Sequence, residues 1–290
     1  MADVRVQAAT LLPYPADDAE VTAREIISGG ERVRLVEAGP PDGAAIMLLH
    51  GWGASAYNFR DVLPALGRAG YRAIAPDLRG HGWSETQLPP GAWAPKAMAE
   101  WVEQLLDTLG IERCVLVGQS IGGAVAMDAA SHLRGRISAL VLLAPIGFTD
   151  LRRITVARAL GIRWWHPAAR RWMVSFVMRR IYGNRGTWTD RDVDEYWAPL
   201  KRRGVVAALL QSVREFDFSP RDPRTVILSH CRVVIRFGEL DRLIPHDVAT
   251  AHASRFRHAD VAVLKGVGHV PAEEVPDEII ELIVNVEAEG

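Results

Sequence analysis

The sequence predicts an α/β fold: a mostly parallel central sheet with helices on both faces and an inserted helical cap. Three observations carry this. Short, continuous apolar runs recur, of the kind found in strands covered on both faces. Segments of helical period lie between them. The rhythm breaks after Pro145 and resumes at Cys231.

In chain order, Arg24 to Ile27 and Arg32 to Glu37 flank Ser28-Gly29-Gly30, a hairpin signal. Ala45 to Leu49 reads as a buried strand, and Tyr57 to Leu66 as a helix. Tyr71 to Ala75 is a strand ended by Pro76-Asp77. Ala97 to Leu109 carries apolar residues at helical spacing and stops at Gly110. A strand at Arg113 to Val117 leads into a helix from Ser120, and Ile137 to Leu143 is a further buried strand. Such alternation implies parallel pairing. Residues 146–225 hold no comparable strand and are rich in arginine and tryptophan, with helical patches such as Trp172 to Ile181. Strands return at Cys231 to Phe237 and Val261 to Leu264, and Pro276 to Val286 forms a last helix. The expected organisation is a core domain of 1–145 and 226–290, with 146–225 as the cap.

Composition excludes little and agrees with an ordinary globular protein. The chain has 290 residues, 49% of them hydrophobic, and a net charge of -1. A near-neutral balance gives no field that would gather nucleic acid. Cys114 and Cys231 sit in apolar runs and read as small buried hydrophobes. The first twenty residues lack the pattern of a signal peptide, and no run approaches the ~20 apolar residues of a membrane span. A cytoplasmic protein without stable membrane insertion is the expectation; the oligomeric state stays open.

The chemistry concentrates at predicted strand ends, where open α/β sheets bind ligands. Gly118-Gln119-Ser120-Ile121-Gly122 follows a strand and opens a helix. A sharp strand-to-helix turn lifts a serine hydroxyl above the sheet, and the glycines let neighbouring backbone pass. The Ile121 N–H at the helix start is free to meet a developing oxyanion. Asp241, within Gly238-Glu239-Leu240-Asp241, follows the strand ending at Phe237. His269, within Gly266-Val267-Gly268-His269, follows the last strand. His50-Gly51-Trp52-Gly53 follows the strand ending at Leu49.

These segments, with Asp77-Leu78-Arg79-Gly80-His81-Gly82-Trp83-Ser84, resemble the α/β-hydrolases of the serine-nucleophile branch that carry a helical cap. The likeness runs from about Arg24 to Val286. It implies an acyl-enzyme mechanism, with Ser120 as nucleophile, His269 as base and then acid, and Asp241 orienting His269. It also implies an oxyanion hole from the backbone N–H groups of Ile121 and Trp52. Related haloalkane dehalogenases and epoxide hydrolases use aspartate at the elbow, which Ser120 argues against. Glu239 and Asp77 are rivals to Asp241. Some relatives place the acid after the strand that follows the nucleophile helix; here that place is Ala144-Pro145-Ile146. His50, Asp77, Arg79 and His81 read as loop braces. Gln119 has no evident role.

The cap reads as the specificity element. Trp164, Trp165, Trp172 and Phe176 are candidates to line an apolar pocket. Nine arginines between Arg152 and Arg185 have only Asp150 as a nearby acid in sequence. A solvated basic face, a carboxylate clamp and docking on an anionic membrane surface are the readings weighed. No metal or cofactor is expected. The sequence thus points to an esterase acting on a small-molecule substrate. Alternatives are a carbon–carbon bond hydrolase of aromatic catabolism and a non-catalytic small-molecule binder. Many carbon–carbon hydrolases carry Asn where Gln119 stands here.

Overall fold

The computed structural model describes residues 14–15, 20–151, 170–223, 230–256 and 258–288. Its eight-stranded sheet has the order β1-β2-β4-β3-β5-β6-β7-β8. The strands are β1 Val21–Ser28, β2 Glu31–Ala38, β3 Ala45–Leu49, β4 Arg72–Pro76, β5 Cys114–Gln119, β6 Ile137–Leu143, β7 Arg232–Gly238 and β8 Ala259–Leu264. β2 pairs antiparallel with β1 and β4, and every pairing from β4 to β8 is parallel. The first hairpin closes through Gly29-Gly30, both at positive φ, where glycine alone is unstrained.

Helices cover both faces because the strands are apolar on both. On one side α2 (Pro95–Thr108), α3 (Ile121–His132) and α7 (His246–Ala253) pack on the sheet. On the other lie α1 (Val62–Arg68) and α8 (Pro276–Ala288). The expected helix from Tyr57 is split. A 3-10 turn spans Ala56–Phe59 and α1 starts at Val62, since Asp77 accepts the Ala56 N–H and fixes the turn apart from the helix.

Between β6 and β7 the described residues form α4 (Arg171–Ile181), α5 (Asp190–Trp197) and α6 (Val205–Glu215), with no strand. Where the chain leaves and rejoins the sheet, its two arms touch. Leu151 N–H donates to the Phe218 carbonyl at 3.3 Å, and Arg221 N–H to that of Gly147 at 2.7 Å. The Arg221 guanidinium, buried, grips Asp128 of α3 through two bonds of 3.0 and 2.7 Å.

β4 lies on one side of β3 and β5 on the other. The winding therefore reverses at β3, and open α/β sheets bind their ligands beyond the carboxyl ends of the strands at such a reversal, here β3 and β5. Gly51 and Ser120 meet there.

Candidate active site

Ser120 stands between β5 and α3 with φ 55° and ψ -119°, a conformation rare for a side chain-bearing residue. Packing holds it there. A Cβ on Gly122 would overlap the Leu49 carbonyl, and one on Gly118 would come within 2.7 Å of the Gly122 carbonyl carbon. Main chain thus passes on both sides of the turn. Ile146 N–H donates to the Ser120 carbonyl at 3.0 Å, tying the turn to the end of β6.

His269 bridges the other two groups. Its Nε2 lies 2.8 Å from Ser120 Oγ and its Nδ1 lies 2.7 Å from Asp241 Oδ2. All three residues are buried. The second oxygen of Asp241 accepts N–H bonds from Leu243 and Ile244, at 2.7 and 3.0 Å, which fixes the carboxylate plane. The rival acids do other work. Glu239 accepts the Gly266 N–H at 2.8 Å. Asp77 accepts from Ala56 and Trp83 at 2.7 and 2.8 Å.

Gly51 brings the β3 loop against the serine: a Cβ there would sit 3.3 Å from Ser120 Cβ. Among the described residues, neither the Trp52 nor the Ile121 N–H has a backbone acceptor outside the helices and strands. The Trp52 indole donates to Ser212 Oγ at 3.0 Å, so the loop beside Ser120 is tethered to α6. Behind it, His50 Nε2 accepts the Leu78 N–H at 2.9 Å, which leaves the proton on Nδ1, directed at the Gly51 carbonyl. Burial holds His50 down to about pKa 4 and His81 to about 3, so both imidazoles are neutral braces.

Gln119 acquires a part that local sequence does not reveal. Its amide donates to Asn58 Oδ1 at 2.9 Å and accepts from the Ala272 N–H at 3.3 Å. Asn58 in turn donates to Glu273 Oε1 at 2.8 Å. Arg60 and Tyr182 donate to the other oxygen of Glu273, each at 2.6 Å, and Tyr196 reaches Oε1. Burial, with the Glu273 charge behind it, keeps the Tyr182 and Tyr196 phenols above their usual range.

The cap candidates divide. Trp164 and Trp165, like Arg152, Arg153, Arg158 and Arg163, lie outside the described residues. Trp172 and Phe176 are half exposed and, with Arg171, Ser175 and Arg179, line a cavity of about 520 Å³. Acids distant in sequence answer part of the arginine run. Arg171 pairs with Asp194 at 2.5 Å and Asp190 at 2.8 Å, and Arg185 pairs with Glu278 at 2.6 Å. Arg180 stacks on the Phe176 ring at 4.4 Å. Among the described residues no cluster of His, Cys, Asp and Glu has the arrangement of a metal site. No described helix is long and apolar enough to cross a membrane.

The sequence pattern of the alpha/beta hydrolase family matches residues 46–282. The chain belongs to this family. This α/β-hydrolase is 29% identical, over 95% of its length, to a protein of Pseudomonas putida, the dihydrolipoyllysine-residue acetyltransferase component of the acetoin cleaving system. The match spans 72% of that protein. An uncharacterized hydrolase of Bacillus subtilis (strain 168) is 26% identical over 84% of this chain and 90% of its own. Among solved structures, the 2-hydroxy-6-oxo-6-phenylhexa-2,4-dienoate hydrolase from Rhodococcus sp. strain RHA1 superposes with a TM-score of 0.77. Its identity is 23%, covering 93% of this chain and 99% of that one, and the likeness is one of fold.

Proposed function

We propose that this α/β-hydrolase is a serine hydrolase that cleaves a small to medium, largely apolar carboxylic ester through an acyl-enzyme. The observation that carries the reading is the position of His269, 2.8 Å from Ser120 Oγ and 2.7 Å from Asp241. Ser120 Oγ attacks the ester carbon while His269 Nε2 takes its proton. The C–O bond to the alcohol then breaks as His269 returns that proton to the leaving oxygen. Water repeats the sequence on the acyl-enzyme and frees the acid. Asp241 keeps the Nδ1 proton in place and stabilises the imidazolium. The backbone N–H groups of Ile121 and Trp52 receive the oxyanion, a contact whose loss typically raises the barrier by about 3 kcal/mol.

The apolar part of the reading rests on the aromatic composition of the cap; the cavity lined by Trp172 and Phe176 includes none of Ser120, Asp241 and His269. Arg171 and Arg185 already have acidic partners, which leaves the carbon–carbon hydrolase reading without support from those two side chains.

A fluorophosphonate probe tests the nucleophile. The wild type should label, and Ser120→Ala should not, with an unchanged circular dichroism spectrum. Undiminished labelling of Ser120→Ala puts the nucleophile elsewhere, and an unlabelled wild type favours a binder. p-Nitrophenyl esters of graded chain length, assayed beside a ring-cleavage dienoate, test the substrate class. Faster turnover of the dienoate would replace the ester reading.

A further inference from the structure

The histidine loop rests on the segment that ends α4 as much as on the sheet. His269 N–H donates to the Ile181 carbonyl at 2.6 Å, and Asn184 N–H to that of Gly266 at 2.7 Å. The two backbones touch because glycines face each other. A Cβ on Gly183 would lie 2.6 Å from Gly268 N, and one on Gly268 would lie 2.5 Å from Gly183 N. The buried Glu274 carboxylate closes the contact. One oxygen accepts the Gly268 N–H at 2.8 Å and the other the Gly183 N–H at 2.7 Å. One side chain therefore holds the residue preceding His269 and the turn after α4 together.

We infer that Glu274 is a positioning residue, which makes the placement of His269 depend on the seating of α4. The inference rests on the proposed role of His269 as base. A carboxylate suits this place because both partners are N–H donors and it is acceptor-only. Glutamine keeps one acceptor but turns its NH2 toward the second N–H, so it satisfies half the clasp. Alanine satisfies none. Small displacements of a base from its reacting proton lower the rate more than they lower binding.

Glu274→Gln, Glu274→Ala and Gly183→Ala should be assayed on the best p-nitrophenyl ester. Arg202→Ala is the control: its guanidinium ties the cap region to the Gly82 carbonyl at 2.6 Å, away from His269. We expect kcat to fall about tenfold for Glu274→Gln and further for Glu274→Ala, with KM within about twofold. Gly183→Ala, which wedges the backbones apart while leaving the Glu274 side chain in the sequence, should act in the same way. The Nδ1–H proton resonance of His269 should broaden or shift in these variants and not in Arg202→Ala. If Glu274→Ala does not fold, Glu274→Gln and Gly183→Ala decide the matter. Unchanged kcat in the Glu274 and Gly183 variants overturns the inference, as does an equal loss in Arg202→Ala. A wild type inert to esters and probe would instead refute the hydrolase reading itself.

Discussion

Around Ser120 the chain is fixed chiefly by main chain against main chain, whereas around His269 carboxylates and their donors are added to such backbone contacts. At Ser120, Gly118 and Gly122 admit the backbone of the turn and of β3, and the Glu273 carboxylate reaches this turn only indirectly, through Asn58 and Gln119. At the histidine, Asp241, Glu273 and Glu274 hold the loop through N–H, guanidinium and phenol donors from residues 58–60, residues 182–183 and the loop itself. The lesson is a division of labour. Packing gives Ser120 a geometry that depends little on charge. Hydrogen bonding gives the histidine a geometry that answers to charge and to the elements that supply the donors.

The sharpest way to break this comparison is Gly122→Ala. Its methyl meets the Leu49 and His50 carbonyls, so the elbow has to shift. Fluorophosphonate labelling should slow on the order of 100-fold; a rate within threefold of wild type would mean the elbow is not set by packing. Next comes Glu273→Ala on the histidine side. Arg60 loses its 2.6 Å partner and keeps Asp192 at 3.1 Å. Urea denaturation should show a loss of about 3 kcal/mol, the lower end for a broken buried pair.

Acid should reach the molecule through its braces. His50 and His81 have pKa values of about 4 and 3 in the fold, against 6.5 for a free imidazole. The unfolded chain therefore binds protons that the fold refuses, and stability falls as pH drops below about 6.5. The slope should approach 1.4 kcal/mol per pH unit for each group, ending near pH 4 for His50 and near 3 for His81. His81→Gln should flatten the curve, and denaturation midpoints between pH 7 and 4 check it. The smallest effect belongs to the surface. Arg171→Ala removes two ion pairs of a partly exposed side chain and should shift stability by no more than about 1 kcal/mol. It should slow a neutral and a carboxylate-bearing ester alike; a tenfold change in their ratio would revive the carboxylate clamp.

Legibility in the sequence follows the same division. Strands such as Ile46 to Leu49 and Val115 to Val117 announce themselves because burial on both faces demands unbroken apolar runs. The elbow is legible because its glycines sit beside its serine. Gln119, Asn58, Glu273 and Glu274 are opaque because their partners lie up to 215 residues apart in sequence. The partners of the arginine run are hidden for the same reason: Asp190, Asp194 and Glu278 pair with Arg171 and Arg185 from beyond the segment. One missed element left a mark. Thr189 and Asp192 form the capping box of α5, whose polar composition hides it from a search for apolar stripes.

The joined arms at Gly147–Arg221 and Leu151–Phe218 have an architectural consequence. A chain that departs and returns through neighbouring backbones behaves, topologically, like a surface loop of any length. Lengthening such a loop adds little closure entropy, about 0.6 kcal/mol per doubling. The intervening residues are therefore exchangeable in principle, as one tool head is for another on a fixed handle. A foreign insert would have to bring its own donors for Glu273 and Glu274, its own acceptor for the His269 N–H and its own anchor for the Trp52 indole. Those few sockets, more than the length or shape of the insert, define which replacements this handle accepts.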